Sequence, residues 1–196
     1  MATSSNVFLI GPMGVGKSTI GRMLATALDS PFYDSDREIE ALTGADIPWI
    51  FDVEGEAGFR VREERMIDSL SRRDGIVLAT GGGAILSAAS RANLHQRGTV
   101  VYLKATITQQ FERTSKDRNR PLLQTADPMT RIKELMKIRE PFYNETAHIT
   151  IDTSRRGPRA VVNEILKRLA ECQAASVQGD SPQGSDDDGA ASGADS

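Results

Sequence analysis

The chemistry of this chain starts at Gly11-Pro12-Met13-Gly14-Val15-Gly16-Lys17-Ser18-Thr19. The glycines let the backbone bend tightly and turn its N–H groups inward, where they can cradle a polyphosphate. The apolar run Val7–Ile10 comes just before and a helix-type stretch opens at Lys17, so the segment fits the phosphate-binding loop G-x-x-x-x-G-K-[ST] in its strand–loop–helix setting. In that setting Lys17 reaches the β- and γ-phosphates of ATP or GTP, the Ser18 hydroxyl ligates Mg²⁺, and the helix adds its positive end.

Four further segments offer polar or glycine chemistry. Asp34 and Asp36 are two apart at the end of a short apolar run. One suits the metal shell and the other a nucleophilic hydroxyl, unless either simply caps the following helix. Gly81-Gly82-Gly83 follows another apolar run and exposes backbone amides where a ligand can lie close. Arg60, near the start of a long helix, can clamp a carboxylate through two parallel N–H···O bonds, and Arg139 is similar. The alternative for Arg60 is a solvated helix face, with Glu56, Glu63 and Glu64 as surface partners of little energetic weight. Residues 113–120 hold four basic side chains ahead of Pro121 and read as a lid, about 113–124, that covers the phosphates and excludes water. His95 and His148 have no evident partners, and Trp49 reads as packing.

These segments must be brought together by a scaffold, and the periodicity supplies one. Strand-type runs at Asn6–Ile10, Phe32–Asp34, Ile76–Ala79, Val100–Leu103 and His148–Ile151 alternate with helix-type stretches. Those are Lys17–Leu28, Asp36–Thr43, Ile47–Glu54, Glu56–Arg72, Ser87–Gln96, Ile107–Thr114, Pro128–Thr146 and Pro158–Cys172. Alternation of this kind predicts an α/β fold, a five-stranded parallel sheet with helices on both faces. Its ligands gather beyond the carboxyl ends of the strands, where all the polar segments fall.

Composition narrows the function classes. The 196 residues suffice for one domain, and no apolar run approaches the ~20 residues of a membrane span. The N-terminal residues lack signal-peptide character, and the single cysteine, Cys172, excludes an internal disulfide, so a cytoplasmic monomer without membrane partners is expected. Residues 173–196 carry five acids and no Lys or Arg, so the net charge of −3 becomes +2 for the rest. That balance suits a small anionic substrate and gives no argument for nucleic acid. The tail offers almost nothing to bury and is expected to be disordered, with the domain occupying 1–172.

Taken together, the segments resemble the bacterial shikimate kinases over roughly residues 6 to 170. The resemblance rests on the phosphate loop, Phe32-Tyr33-Asp34-Ser35-Asp36, Gly55-Glu56-Ala57-Gly58-Phe59-Arg60, Ala79-Thr80-Gly81-Gly82-Gly83, Arg120-Pro121-Leu122-Leu123, and Arg139 followed by Tyr143. It implies a P-loop three-layer α/β/α fold like that of nucleoside monophosphate kinases, with a lid and substrate-binding helices. The implied reaction takes ATP and shikimate to ADP and shikimate 3-phosphate, on the route to chorismate and the aromatic amino acids, with Mg²⁺ as cofactor. By the same resemblance Gly14, Val15, Gly16, Lys17, Ser18 and Thr19 bind the ATP phosphates, and Ser18 and Asp34 serve Mg²⁺. Asp36 holds the attacking hydroxyl. Arg60 and Arg139 grip the shikimate carboxylate, Gly81, Gly82 and Gly83 meet the ring hydroxyls, Arg120 closes over ATP, and Arg156 and Pro158 line the adenine. Lys17, Asp36 and Arg120 are the expected catalytic set. The competing readings are a gluconate kinase, a nucleoside monophosphate kinase, and a nucleotide-binding regulator without catalysis.

Overall fold

The computed structural model describes residues 6–115 and 121–178. Five strands, β1 (Val7–Ile10), β2 (Phe32–Asp34), β3 (Val77–Ala79), β4 (Thr99–Lys104) and β5 (Ile149–Asp152), form one parallel sheet in the order β2-β3-β1-β4-β5. Seven helices alternate with them among the described residues: α1 (Lys17–Ala27), α2 (Ser35–Thr43), α3 (Ile47–Ser71), α4 (Ala88–Arg97), α5 (Ile107–Thr114), α6 (Pro128–Thr146) and α7 (Pro158–Gln178). The result is the expected three-layer α/β/α sandwich.

Side-chain alternation along the strands builds two cores, one on each face of the sheet. Phe8 and Ile10 of β1 join Leu78 and Tyr102 in a core closed by Ile67 and Leu70 of α3, Leu94 of α4, and Leu135 and Tyr143 of α6. Val7 and Leu9 of the same strand face the other way, into a core closed by Ile20 and Leu24 of α1 and Val161 and Ile165 of α7. A strand buried on both faces reads as a continuous apolar run, which is why β1 and β4 are plain in the sequence.

One helix break falls where expected and one helix end does not. The expected helices Ile47–Glu54 and Glu56–Arg72 are found as the two arms of α3, which meet at a kink where Gly55 has the non-helical angles φ 70°, ψ 178°. A positive φ suits glycine and interrupts the helical ladder, so the axis turns there. Helix α7 runs on past Cys172 to Gln178. Its added residues include Ala174, Ala175 and Gln173, good helix formers, and Gly179 follows them. The rest of the acidic tail, 179–196, lies outside the described residues, as does the middle of the lid, 116–120.

Candidate active site

The phosphate loop and the acceptor side of the site follow the carboxyl ends of β1, β2 and β3, with α3 and α6 coming in from the side. The phosphate loop leaves β1 and ends at Gly16, the N-cap of α1, with φ 98° and no side-chain cap. The first amides of α1 are therefore not capped by a side chain and face the loop's interior. Lys17 Nζ donates to the carbonyls of Gly11 at 2.7 Å and Pro12 at 2.8 Å, which holds it across the loop. Ser18 Oγ donates to Asp34 Oδ2 at 2.5 Å. Asp34 Oδ1 accepts from the Asp36 amide at 3.2 Å and caps α2. The cap and the phosphate-loop contact are thus two uses of one carboxylate. Two hard oxygen groups beside a phosphate cradle fit Mg²⁺, which keeps several waters and needs few protein ligands.

A second hollow opens beside the loop. Asp36 of α2, Phe59, Arg60 and Glu63 of α3, the glycine triplet, Met13, Leu122 and Arg139 of α6 line it. Gly81 and Gly83 leave no room for a Cβ unless neighbouring side chains shift. A Cβ on Gly83 would overlap the Arg60 guanidinium, whereas one on Gly82 would make only ordinary contacts, the nearest with the Met13 amide nitrogen at 3.4 Å. Arg139 is buried, and its Nε and Nη2 have no acceptor among the described residues. Burial pushes its pKa down, with the positive Arg60 nearby contributing in the same direction. A buried guanidinium with unmet donors is costly unless an anion completes it.

Glu63 is the site residue that sequence reasoning placed wrongly. It reads as a surface partner, but it is only 2% exposed and accepts from Arg60 Nη1 at 2.5 Å. Arg60 also bonds Glu56, with Nη2 at 2.8 Å from Oε1. Burial works against the Arg60 charge, yet Glu63 and Glu56 hold its pKa above the usual value. Burial raises the Glu63 pKa, and Arg60 and Arg139 only partly offset that. A Glu three residues after an Arg on one helix was the available signal, but spacing alone does not reveal burial.

Three further expectations are corrected. His95 and His148 do have partners: their rings stack with centroids 4.1 Å apart, His95 Nδ1 lies 3.1 Å from the Thr146 carbonyl, and His148 Nδ1 accepts from the Val100 amide at 3.0 Å. Strand β5 starts beside β4 and the end of α4, which brings the two rings together far from the phosphate loop. Trp49 is 55% exposed and is not core packing.

Arg156 and Pro158 flank a hollow on the other side of the phosphate loop, together with Gly14, Val15, Gly16, Thr19 and Thr153. Arg113 lines it too and donates to the carbonyls of Gly14 at 3.2 Å and Val15 at 3.4 Å. It belongs to the expected lid and sits closer to the nucleotide loop than the sequence revealed. Arg120 lies outside the described residues.

Comparison with known proteins agrees with this geometry. The shikimate kinase family model matches residues 13–170. The shikimate kinase of Pseudomonas syringae pv. syringae (strain B728a) is 61% identical over 166 residues, covering 85% of this chain and 96% of the relative. A solved shikimate kinase from Acinetobacter baumannii in complex with shikimate is 50% identical, with a TM-score of 0.84, over 85% of this chain and 93% of that one. A gluconokinase from Sinorhizobium meliloti 1021 is 16% identical with a TM-score of 0.59, over 92% of this chain and 100% of that one, a likeness of fold alone. The chain belongs to the shikimate kinase family.

Proposed function

We propose that the chain transfers the γ-phosphoryl group of Mg²⁺–ATP to the 3-hydroxyl of shikimate, giving ADP and shikimate 3-phosphate. The observation that carries this reading is the hollow beside Lys17. It sets a buried guanidinium with unmet donors, Arg139, near a second guanidinium, Arg60, with the Asp36 carboxylate and glycine amides on its other walls. A small hydroxylated carboxylic acid matches that set: its anion completes the guanidinium pair, and its hydroxyls meet Asp36 and the triplet.

In the transfer, the bond from the acceptor oxygen to the γ-phosphorus forms as the bond from that phosphorus to the β–γ bridging oxygen breaks. The hydroxyl proton leaves towards Asp36. A loose transition state asks mainly for alignment and charge stabilisation. Arg60 and Arg139 orient the acid, Asp36 aims its hydroxyl, and Lys17 with the loop amides balances charge on the phosphates. Ser18 and Asp34 would hold Mg²⁺, which would supply charge neutralisation on the transferred phosphates. Arg113, Arg156 and Pro158, which line the hollow on the far side of the phosphate loop, would receive the base.

The experiment is ADP release from Mg²⁺–ATP with shikimate, gluconate, AMP or CMP as acceptor. Turnover with shikimate alone is expected. Turnover with gluconate would favour the neighbouring fold relative, turnover with a monophosphate would favour a nucleotide kinase, and ATP binding without any acceptor-dependent ADP release would leave a regulator.

A further inference from the structure

The geometry points to Tyr143 as a positioning residue that sets the glycine triplet for substrate; the inference rests on the kinase reading above and deepens it. Tyr143 lies one turn after Arg139 on α6 and is fully buried. Its hydroxyl donates to the Gly82 carbonyl at 2.6 Å. The same phenol oxygen lies next to the Arg139 guanidinium, which draws its pKa down, while burial, the larger influence, pushes it well up. The phenol therefore stays protonated and acts as a fixed donor.

The rest of the triplet is also tied. The Gly81 amide donates to Ser35 Oγ at 2.9 Å, the Gly81 carbonyl accepts from Ala84 N at 3.2 Å, and the Gly83 carbonyl accepts from Leu86 N at 2.9 Å. All three carbonyls and one amide are thereby engaged, which leaves the Gly82 and Gly83 amides, among the described residues, without an internal acceptor. The peptide between Gly82 and Gly83 is trans and planar, so drawing its carbonyl onto Tyr143 sends the Gly83 N–H the opposite way. One hydroxyl thus fixes the direction of an amide and the neighbourhood of Arg139, two groups that meet different parts of the acid.

The adjoining Tyr102 supplies the control. Its ring stacks on Tyr143 with centroids 4.9 Å apart, and its buried hydroxyl has no partner among the described residues. Tyr143→Phe and Tyr102→Phe each remove one buried oxygen from the same stack, but only the first removes the bond to Gly82.

The test is steady-state kinetics of both variants with shikimate and ATP varied separately. Tyr143→Phe is expected to raise the shikimate KM about tenfold, the effect of one buried hydrogen bond, with the ATP KM unchanged and Tyr102→Phe matching the parent protein. Equal shikimate KM values in the two variants, or a parallel rise in both KM values for Tyr143→Phe, would overturn the inference. Absence of shikimate turnover in the parent protein would instead defeat the kinase reading. A second measurement covers that case and a variant that does not fold: NMR of the unmutated chain carrying ¹³C at the tyrosine ζ carbon. Tyr143 is expected to show a slowly exchanging hydroxyl proton whose resonance moves when shikimate is added. A rapidly exchanging or unresponsive proton would overturn the inference.

Discussion

Asp36 of α2 and Glu63 of α3 close on one atom, the Cα of Gly81: a Cβ built there would stand 2.7 Å from Asp36 Oδ1 and overlap Glu63 Oε1. Two acidic side chains from different helices are thus kept at their spacing by a residue with no side chain. Gly81→Ala must push both of them aside, an overpacking strain of about 1–3 kcal/mol. The expected result is a fall of about tenfold to a hundredfold in kcat/KM for shikimate, with ATP affinity retained. Steady-state kinetics alongside nucleotide titration checks it.

Asp36→Asn keeps the shape and removes the charge. It is expected to lower kcat by at least about a hundredfold, in the range of a lost acid–base or aligning group, while ATP binding persists because the phosphate loop is untouched. Near-parental turnover would remove Asp36 from the mechanism.

Arg60 carries two duties that separate by mutation. Arg60→Ala removes a charge-assisted contact and is expected to raise the shikimate KM by about thirtyfold or more, equivalent to ~2–3 kcal/mol. It also strips the partner from Glu63, whose side chain is only 3% exposed, so the melting temperature falls as well. Adding Glu63→Gln to Arg60→Ala should recover part of the stability and none of the shikimate affinity. Thermal melts and kinetics on the single and double variants decide this.

His148 gives stability a pH dependence. Burial, and then the neighbouring His95, hold the His148 pKa below its ordinary 6.5. In the window below that value the unfolded chain binds more protons than the native one, so this contribution is complete above it and is lost as pH falls through the depressed native pKa. His148→Asn can offer Oδ1 to the Val100 amide but does not titrate. Melting curves between about pH 7.5 and about pH 5 should show a shallower decline for the variant.

Local signals carried much of the fold and site. Strands β1, β3 and β4 were legible as apolar runs buried in the sheet, the edge strands β2 and β5 as short, partly exposed ones, and the phosphate loop because its glycines, Lys17 and Ser18 keep a fixed spacing. Asp34, Asp36, Arg60, Gly82 and Arg139 were legible as chemistry at strand ends and helix faces. What escaped depends on packing between distant segments. Glu63 is buried only because α3 leans over the triplet, Tyr143 meets Gly82 only because α6 packs beside the turn that follows the triplet, and His95 finds His148 only once β5 lies beside β4. Helix α7 was expected to stop at Cys172 because composition changes there, yet its alanines carry the helix on to Gln178.

The central claim, that one hollow aligns a shikimate hydroxyl with the terminal phosphorus of ATP, is tested most directly by ³¹P NMR of the product formed from equimolar Mg²⁺–ATP and shikimate. ADP and a single phosphate monoester, coupled to the ring proton at carbon 3, are predicted. Inorganic phosphate in place of an ester, or esters spread over the other ring hydroxyls, would contradict it.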